Sequence, residues 1–353
     1  MSEANIVTTK KQVRKAGENI RNNRVSNEDY KIIASWRSSH ISIMTGMVNA
    51  INKKLRANSL KAILVARRLK RLNSIELKLN RFQDMQLDRM QDIAGVRVVF
   101  KNLEQVKIFQ ALMEKTYLKG SRKFQLLNKK TKNYIQNPKN DGYRSIHQIF
   151  EYKDDSKKYL ELQIRTQLQH YWATAVEVLG MKTQAKIKQG EGEHYYKDFF
   201  KLCSALFCIK ENTRIIEEYT KLNKKEICKK ISVLDKEYNI LEQLSALAVS
   251  SKNIENQAKS NKQNYYFLVL LNLETSVLTI QGYKKNSFEV AENFYNYLEL
   301  KSKQDGKTDV VLISLDKLKL LKSAYPNYYL DSSSFIKEVK KELSENLKNL
   351  GDT

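Results

Sequence analysis

Two carboxylates and a dense run of cations are the residues of this chain with the clearest chemical potential. Asp92 lies at the entry to the β-branched run IAGVRVVF, residues 93–100. A carboxylate at a strand edge is rigid and can hold Mg²⁺ while the ion keeps several waters. The same position suits an ordinary turn or cap residue. Glu161 sits inside YLELQIRT, where strand alternation puts Glu161, Gln163 and Arg165 on one face and Leu160, Leu162 and Ile164 on the other. Such a carboxylate can orient a metal or act as a general base on a hydroxyl. It can also simply pair with Arg165 at a surface, which stabilises little.

The cations cluster upstream. Between Ala50 and Arg81 lie Lys53, Lys54, Arg56, Lys61, Arg67, Arg68, Lys70, Arg71, Lys78 and Arg81 against one acid, Glu76. The spacing of Arg67, Lys70, Arg71, Ser74 and Lys78 predicts one basic face of a helix over 60–79. That face could be a solvated surface or could hold a triphosphate, with guanidinium forks and ammonium point charges on its oxygens. The loop PKNDGYRSIH (138–147) adds Lys139, Tyr143, Arg144 and His147 around an Asp-Gly turn. Tyr143 there could stack on a base or merely pack.

The elements that must position these groups are legible in outline. Ser26 reads as a helix cap before an amphipathic run, with further helices over 103–118 and 168–182. Residues 93–100, 124–128, 145–152 and 159–166 read as strands. Helical stretches follow over 194–219 and 224–249, then the polar segment 250–264 reads as a linker. Strands at YYFLVLLNL, SVLTIQGY and DVVLISL, with two helices, predict a small separate α/β domain. The expected division is 1–44 helical, 45–185 an α/β core, 186–250 helical and 265–353 a C-terminal α/β domain for regulation or interaction.

Composition narrows the rest. A net charge of +24 favours a polyanionic partner. Three cysteines with no CxxC pair argue against a disulfide framework or zinc site. No signal-like or spanning apolar run occurs, so the expectation is a cytoplasmic protein with no membrane partner. The absence of a Walker A loop excludes a P-loop kinase.

Taken in order, RLKRLNSIELKL, DIAGVRVVF, PKNDGYRSIH and ELQIRTQLQHYWATAVE resemble the synthetase domain of the RelA/SpoT family, over roughly residues 30–215. The resemblance implies an α/β (α+β) fold with a nucleotidyltransferase-like mixed β-sheet flanked by helices. It implies transfer of pyrophosphate from ATP to the 3′-hydroxyl of GDP or GTP, making (p)ppGpp as in the stringent response. By the same resemblance Asp92 and Glu161 would be the catalytic, Mg²⁺-binding acids. Arg68, Lys70, Ser74 and Lys78 would bind ATP, and Lys139, Tyr143 and His147 the acceptor, with Gln163 and Arg165 shaping the site. Glu177 is followed by Val178 where many members have Glu-His, which leaves Glu177 open between a site and a structural role. Some relatives are toxins that pyrophosphorylate the 3′ end of tRNA, and in some of those an attached C-terminal domain restrains the enzyme and senses a phage protein. So tRNA, a protein regulator of that domain and a second copy of the chain stay open as partners, and a catalytically dead RNA-binding module is a further alternative.

Overall fold

The computed structural model describes residues 8–121, 123–154, 157–183, 194–250, 264–275, 277–314 and 331–347. Three helices open the chain: α1 (Lys10–Arg21), α2 (Asn27–Ser38) and α3 (Ile41–Ala57). Ser26 caps α2 as its sequence suggests, accepting from the Asp29 amide while Asp29 reaches back to the Ser26 backbone.

The expected basic helix over 60–79 is two elements, and this corrects the sequence reading. Residues Leu64–Leu69 form strand β1, and only Leu72–Arg81 form a helix, α4. Pairing decides the matter. β1 runs antiparallel to β2 (Ala94–Phe100) along its whole length, from Leu64 opposite Val99 to Leu69 opposite Ala94. That ladder outweighs a periodicity that fits either state. Arg67 and Arg68 therefore point to opposite faces of a sheet.

The chain continues through α5 (Leu103–Tyr117), β3 (Phe124–Leu126), β4 (Lys132–Asn133), β5 (Ile146–Tyr152), β6 (Tyr159–Thr166) and α6 (Gln167–Thr183). Helices α7 (His194–Glu211), α8 (Lys224–Tyr238) and α9 (Ile240–Ser250) follow. Then come β7 (Asn264–Asn272), β8 (Leu278–Lys284), α10 (Phe288–Asp305), β9 (Thr308–Ser314) and α11 (Ser333–Leu347). Of the expected linker, residues 251–263 lie outside the described residues.

All the strands belong to one mixed sheet in the order β3-β5-β6-β2-β1-β9-β7-β8, with β4 paired to β5. The parallel pair is β2 with β6. The C-terminal strands thus do not build a sheet of their own as the sequence reading expected. β9 pairs with the free edge of β1, Ile313 opposite Arg68, and carries β7 and β8 with it. An unpaired β1 edge would expose a row of backbone donors and acceptors, and β9 covers that edge where Ile313 meets Arg68.

One face of the sheet, with Val96, Val98, Phe150, Leu162 and Ile164, packs on α3 and α5. At one end of the other face Leu64, Ala66 and Val99 join α6 and α7 in a core that runs on to Phe267, Ile313 and Phe335. The rest of that second face is where the polar residues gather.

Candidate functional site

Register fixes which side chains share the polar face. In the parallel β2–β6 pair Gly95 stands opposite Glu161 and Arg97 opposite Gln163. Arg68 stands opposite Gly95 on β1, and His147 opposite Gln163 on β5. Arg68, Arg97, His147, Glu161, Gln163 and Arg165 therefore project from one side. Arg68, Gly95, Arg97 and Gln163 line an open cleft there. Gly95 has no side chain, which leaves the floor bare between Arg68 and Glu161.

Asp92 sits in the turn just before β2. Both its oxygens are engaged, Oδ2 by Lys70 Nζ at 2.7 Å and Oδ1 by Lys78 Nζ at 2.8 Å. Burial pushes the carboxyl up, but the two ammonium groups outweigh it and hold Asp92 below its usual range. Burial, aided by Lys78 and Arg68, lowers the Lys70 ammonium despite Asp92. Ser74 lies half-buried on α4, one helical turn before Lys78. Lys70 and Lys78 thus meet, but through Asp92 rather than along a common helix face, and Arg68 approaches from the strand. Arg67 is turned away, donating from Nη1 to Thr45 Oγ1 at 2.8 Å and from Nη2 to the Tyr265 hydroxyl.

Glu161 anchors a second chain of contacts. His147 Nδ1 lies 2.8 Å from Glu161 Oε1, and Gln163 Nε2 donates to Oε2 at 2.8 Å. Arg165 Nη2 donates to Gln163 Oε1 at 2.7 Å. Tyr143 Oη is 2.8 Å from His147 Nε2. Burial opposes ionisation of both His147 and Glu161, yet each stabilises the charge of the other. His147 rises to about 9, with Tyr143 contributing, and Glu161 falls to about 2. Tyr143 would be raised by burial, but His147 and Arg165 bring its phenol to about 7. The contacts therefore favour the imidazolium form of His147, set between the Glu161 carboxylate and the Tyr143 phenol. The two halves of the site share one field, since Glu161 acts on Asp92 and Lys78 acts on Glu161.

The 138–147 loop is built to hold Tyr143. Asp141 Oδ1 accepts from the Tyr143 amide at 2.8 Å, and the Gly142 amide donates to the Lys139 carbonyl at 2.8 Å. Gly142 adopts φ +90°, and a Cβ there would meet Ser204 Cβ at 2.9 Å, so glycine is required twice over. Arg144 is buried and paired to Glu211 at 2.7 Å, which pins the loop to α7. That makes Arg144 an anchor. Lys139 Nζ lies 5.0 Å above the Tyr143 ring and 4.8 Å above that of Tyr134.

Sequence reading missed Arg97. Burial, with Arg165 and Arg68 close by, lowers its guanidinium to about 9. The buried Nε atoms of Arg97 and Arg165 have no hydrogen-bond partner among the described residues. Three arginines on one face, two of them with buried unsatisfied donors, form a site prepared for an anion. The signal was available: a cation in the middle of the apolar strand AGVRVVF needs a partner. Glu177, left open by the sequence, lies 3.9 Å from Arg71 and is also felt by Arg97.

Among the described residues no three or more of His, Cys, Asp and Glu gather into a metal cage. Asp92 and Glu161 still suit a hard cation of the kind held by one or two carboxylates together with phosphate oxygens. Their oxygens are here engaged by the cations Lys70, Lys78 and His147 and by the Gln163 amide, groups a divalent ion would replace or compete with.

Fold and site define a mixed-sheet α/β protein with a two-carboxylate, polybasic cleft. Within it, residues 67–191 match the RelA_SpoT family, described as a region found in RelA / SpoT proteins, and the matched stretch spans Asp92, Tyr143 and Glu161. The chain is 29% identical over 109 residues to GTP pyrophosphokinase YjbM of Bacillus subtilis, covering 30% of this chain and 48% of that protein. It is 26% identical over 160 residues to a GTP pyrophosphokinase of Photobacterium angustum, covering 45% of this chain and 20% of the relative. The match therefore spans less than half the length of these curated relatives. Among solved structures, small alarmone synthetase 2 of Bacillus subtilis aligns with 52% of this chain and 95% of its own, at 21% identity and a TM-score of 0.42. Small alarmone synthetase 1 of the same organism, bound to its product pppGpp, aligns with 62% of this chain and all of its own, at 19% identity and a TM-score of 0.40. No helix among the described residues is long and apolar enough to cross a membrane.

Proposed function

We propose that the chain is a pyrophosphotransferase that moves the β,γ-pyrophosphate of ATP onto the 3′-hydroxyl of GDP or GTP, with residues 45–185 as the synthetase unit. The observation that carries this reading is the joining of two carboxylates, Asp92 and Glu161, through Lys78, which pairs with Asp92 at 2.8 Å and acts on Glu161. The RelA/SpoT region supports the reaction class.

Phosphoryl-type transfer asks little covalent chemistry of the protein beyond positioning and charge compensation. ATP lies with its triphosphate along Arg68, Lys70, Ser74 and Lys78, and Arg97 adds a guanidinium from the neighbouring strand. A Mg²⁺ ion held by Asp92 and Glu161 would neutralise the phosphate oxygens when bound. The acceptor base stacks on Tyr143, with Lys139 and His147 beside it. Its hydroxyl oxygen forms a bond to the β-phosphorus as the bond from that phosphorus to the bridging oxygen breaks, and AMP leaves with the bridging oxygen. Glu161 accepts a hydrogen bond from the attacking hydroxyl. With its proton affinity held down to about 2, it orients the hydroxyl better than it keeps the proton, which passes on to solvent.

The net charge of +24 favours a second acceptor, the 3′ end of tRNA. Incubation with β-labelled ATP and either GDP, GTP or bulk tRNA separates these. Label on the guanosine nucleotide is expected. Label on tRNA alone would move the reaction to the second acceptor, and label on neither, with tRNA bound, would leave an RNA-binding module.

A further inference from the structure

Helix α4 carries Ser74 and Lys78 yet starts badly by its own sequence. Its N-cap position is Arg71, which has no acceptor in its side chain and makes no capping hydrogen bond. The missing acceptor comes from far along the chain. Glu299 Oε1, on α10, accepts from the Leu72 amide at 2.8 Å, across 227 residues of sequence. Glu299 is buried, and Arg37 Nη1 at 2.7 Å and the Tyr295 hydroxyl at 2.7 Å hold it in place. Asp309 on β9 grips Arg71 itself, with both oxygens 2.8 Å from Nη1. Lys303 binds Glu76 halfway along the same helix at 2.7 Å. At its other end α4 presents Lys78 to Asp92.

A carboxylate at a helix N-terminus satisfies an orphan amide and complements the helix dipole. Local rules are broken at Arg71 and repaired by residues from the opposite end of the chain, as is common where a segment is held for function. We propose that Glu299, assisted by Asp309, is a positioning residue for the phosphate-binding helix: the C-terminal part of the chain fixes the start of α4 and so sets where Ser74 and Lys78 meet ATP. This rests on the reading of α4 as part of the ATP site. It makes α10 and β9 components of that site's frame, whatever else they bind.

The test uses full-length protein. Removing Glu299 alone would strand the buried Arg37 charge, so the informative pair is R37M/E299M and R37M/E299Q. Both lose the ion pair, but only glutamine keeps an oxygen for the Leu72 amide. Amide hydrogen exchange over residues 72–81 and the KM values for ATP and for acceptor are measured, with E338Q as a control in the same C-terminal region. R37M/E299M is expected to speed exchange at the first turn of α4 about fivefold. It should raise the ATP KM by a similar factor and leave the acceptor KM within about twofold. R37M/E299Q should recover most of both effects. Equal behaviour of the two variants would overturn the proposal, as would an equal rise in both KM values with a lowered melting temperature. ATP added to the wild type tests the underlying reading separately, because it should slow exchange in α4. If ATP slows it and R37M/E299M changes nothing, the positioning role alone falls. If ATP leaves α4 untouched, the placement of ATP falls and the positioning role with it.

Discussion

His147 and Glu161 face one another from adjacent antiparallel strands, with Nδ1 and Oε1 2.8 Å apart, and each holds the other in its charged form. The pair links the loop that presents Tyr143 to the strand that faces Asp92. Glu161→Gln keeps the shape and removes the charge. Transfer should fall by a factor on the order of 10²–10⁴ in protein that stays folded, with a lowered melting temperature because His147 loses its charge partner. Single-turnover AMP release together with thermal unfolding checks both halves. Retained activity would remove Glu161 from the mechanism.

Gly142→Ala should damage the acceptor side selectively. Alanine is disfavoured at φ +90°, and its methyl would press on Ser204 Cβ at 2.9 Å. The expected cost is about 1–3 kcal/mol of stability. The acceptor KM should rise more than the ATP KM, because Tyr143 is the next residue. A steady-state titration of each substrate reads the difference.

Glu292 on α10 gives a pH signature. Burial, with Glu289 adding to it and Arg37 opposing, raises its carboxyl from 4.5 to about 7. The folded state therefore binds a proton more tightly than the unfolded chain does. The resulting stability is full below about 4.5 and is lost as pH rises through about 7. Glu292→Gln should melt at a higher temperature than wild type at pH 8 and show a flatter dependence between pH 5 and 8. A parallel dependence in the two proteins would count against this assignment.

Cutting the chain after residue 250 should not release an active core. It would strip β9 from the β1 edge and uncover Phe200 and Phe207, whose rings lie 5.6 and 5.9 Å from the fully buried Phe335. Emptying a site of that kind costs about 3–5 kcal/mol in other cores. Expression of 1–250 should give aggregated or inactive protein. A soluble fragment that still releases AMP would show that the C-terminal elements are dispensable.

Much of the site was legible because its residues break local expectations. A carboxylate and an arginine on one face of YLELQIRT, and an Asp-Gly turn before Tyr143, are visible without coordinates. Arg67 and Arg68 read as helical because the cations and apolar residues over 60–79 recur at three- and four-residue steps; only the ladder with β2 puts the two arginines on opposite faces of a strand. Arg97 was passed over inside an apolar strand, although its buried charge was the clue. The union of the C-terminal strands with the main sheet depends on pairing between residues more than two hundred positions apart, which no local pattern encodes. The cap of α4 was hidden for the same reason.

The central claim is that pyrophosphate leaves ATP as a unit at the Asp92–Glu161 site. The most direct measurement is the nucleotide balance of a reaction containing ATP, Mg²⁺ and GDP or GTP, resolved by ion-exchange chromatography. One AMP is expected for each guanosine nucleotide gaining two phosphates, and neither product from Asp92→Asn. ADP in place of AMP, or undiminished product from Asp92→Asn, would contradict it.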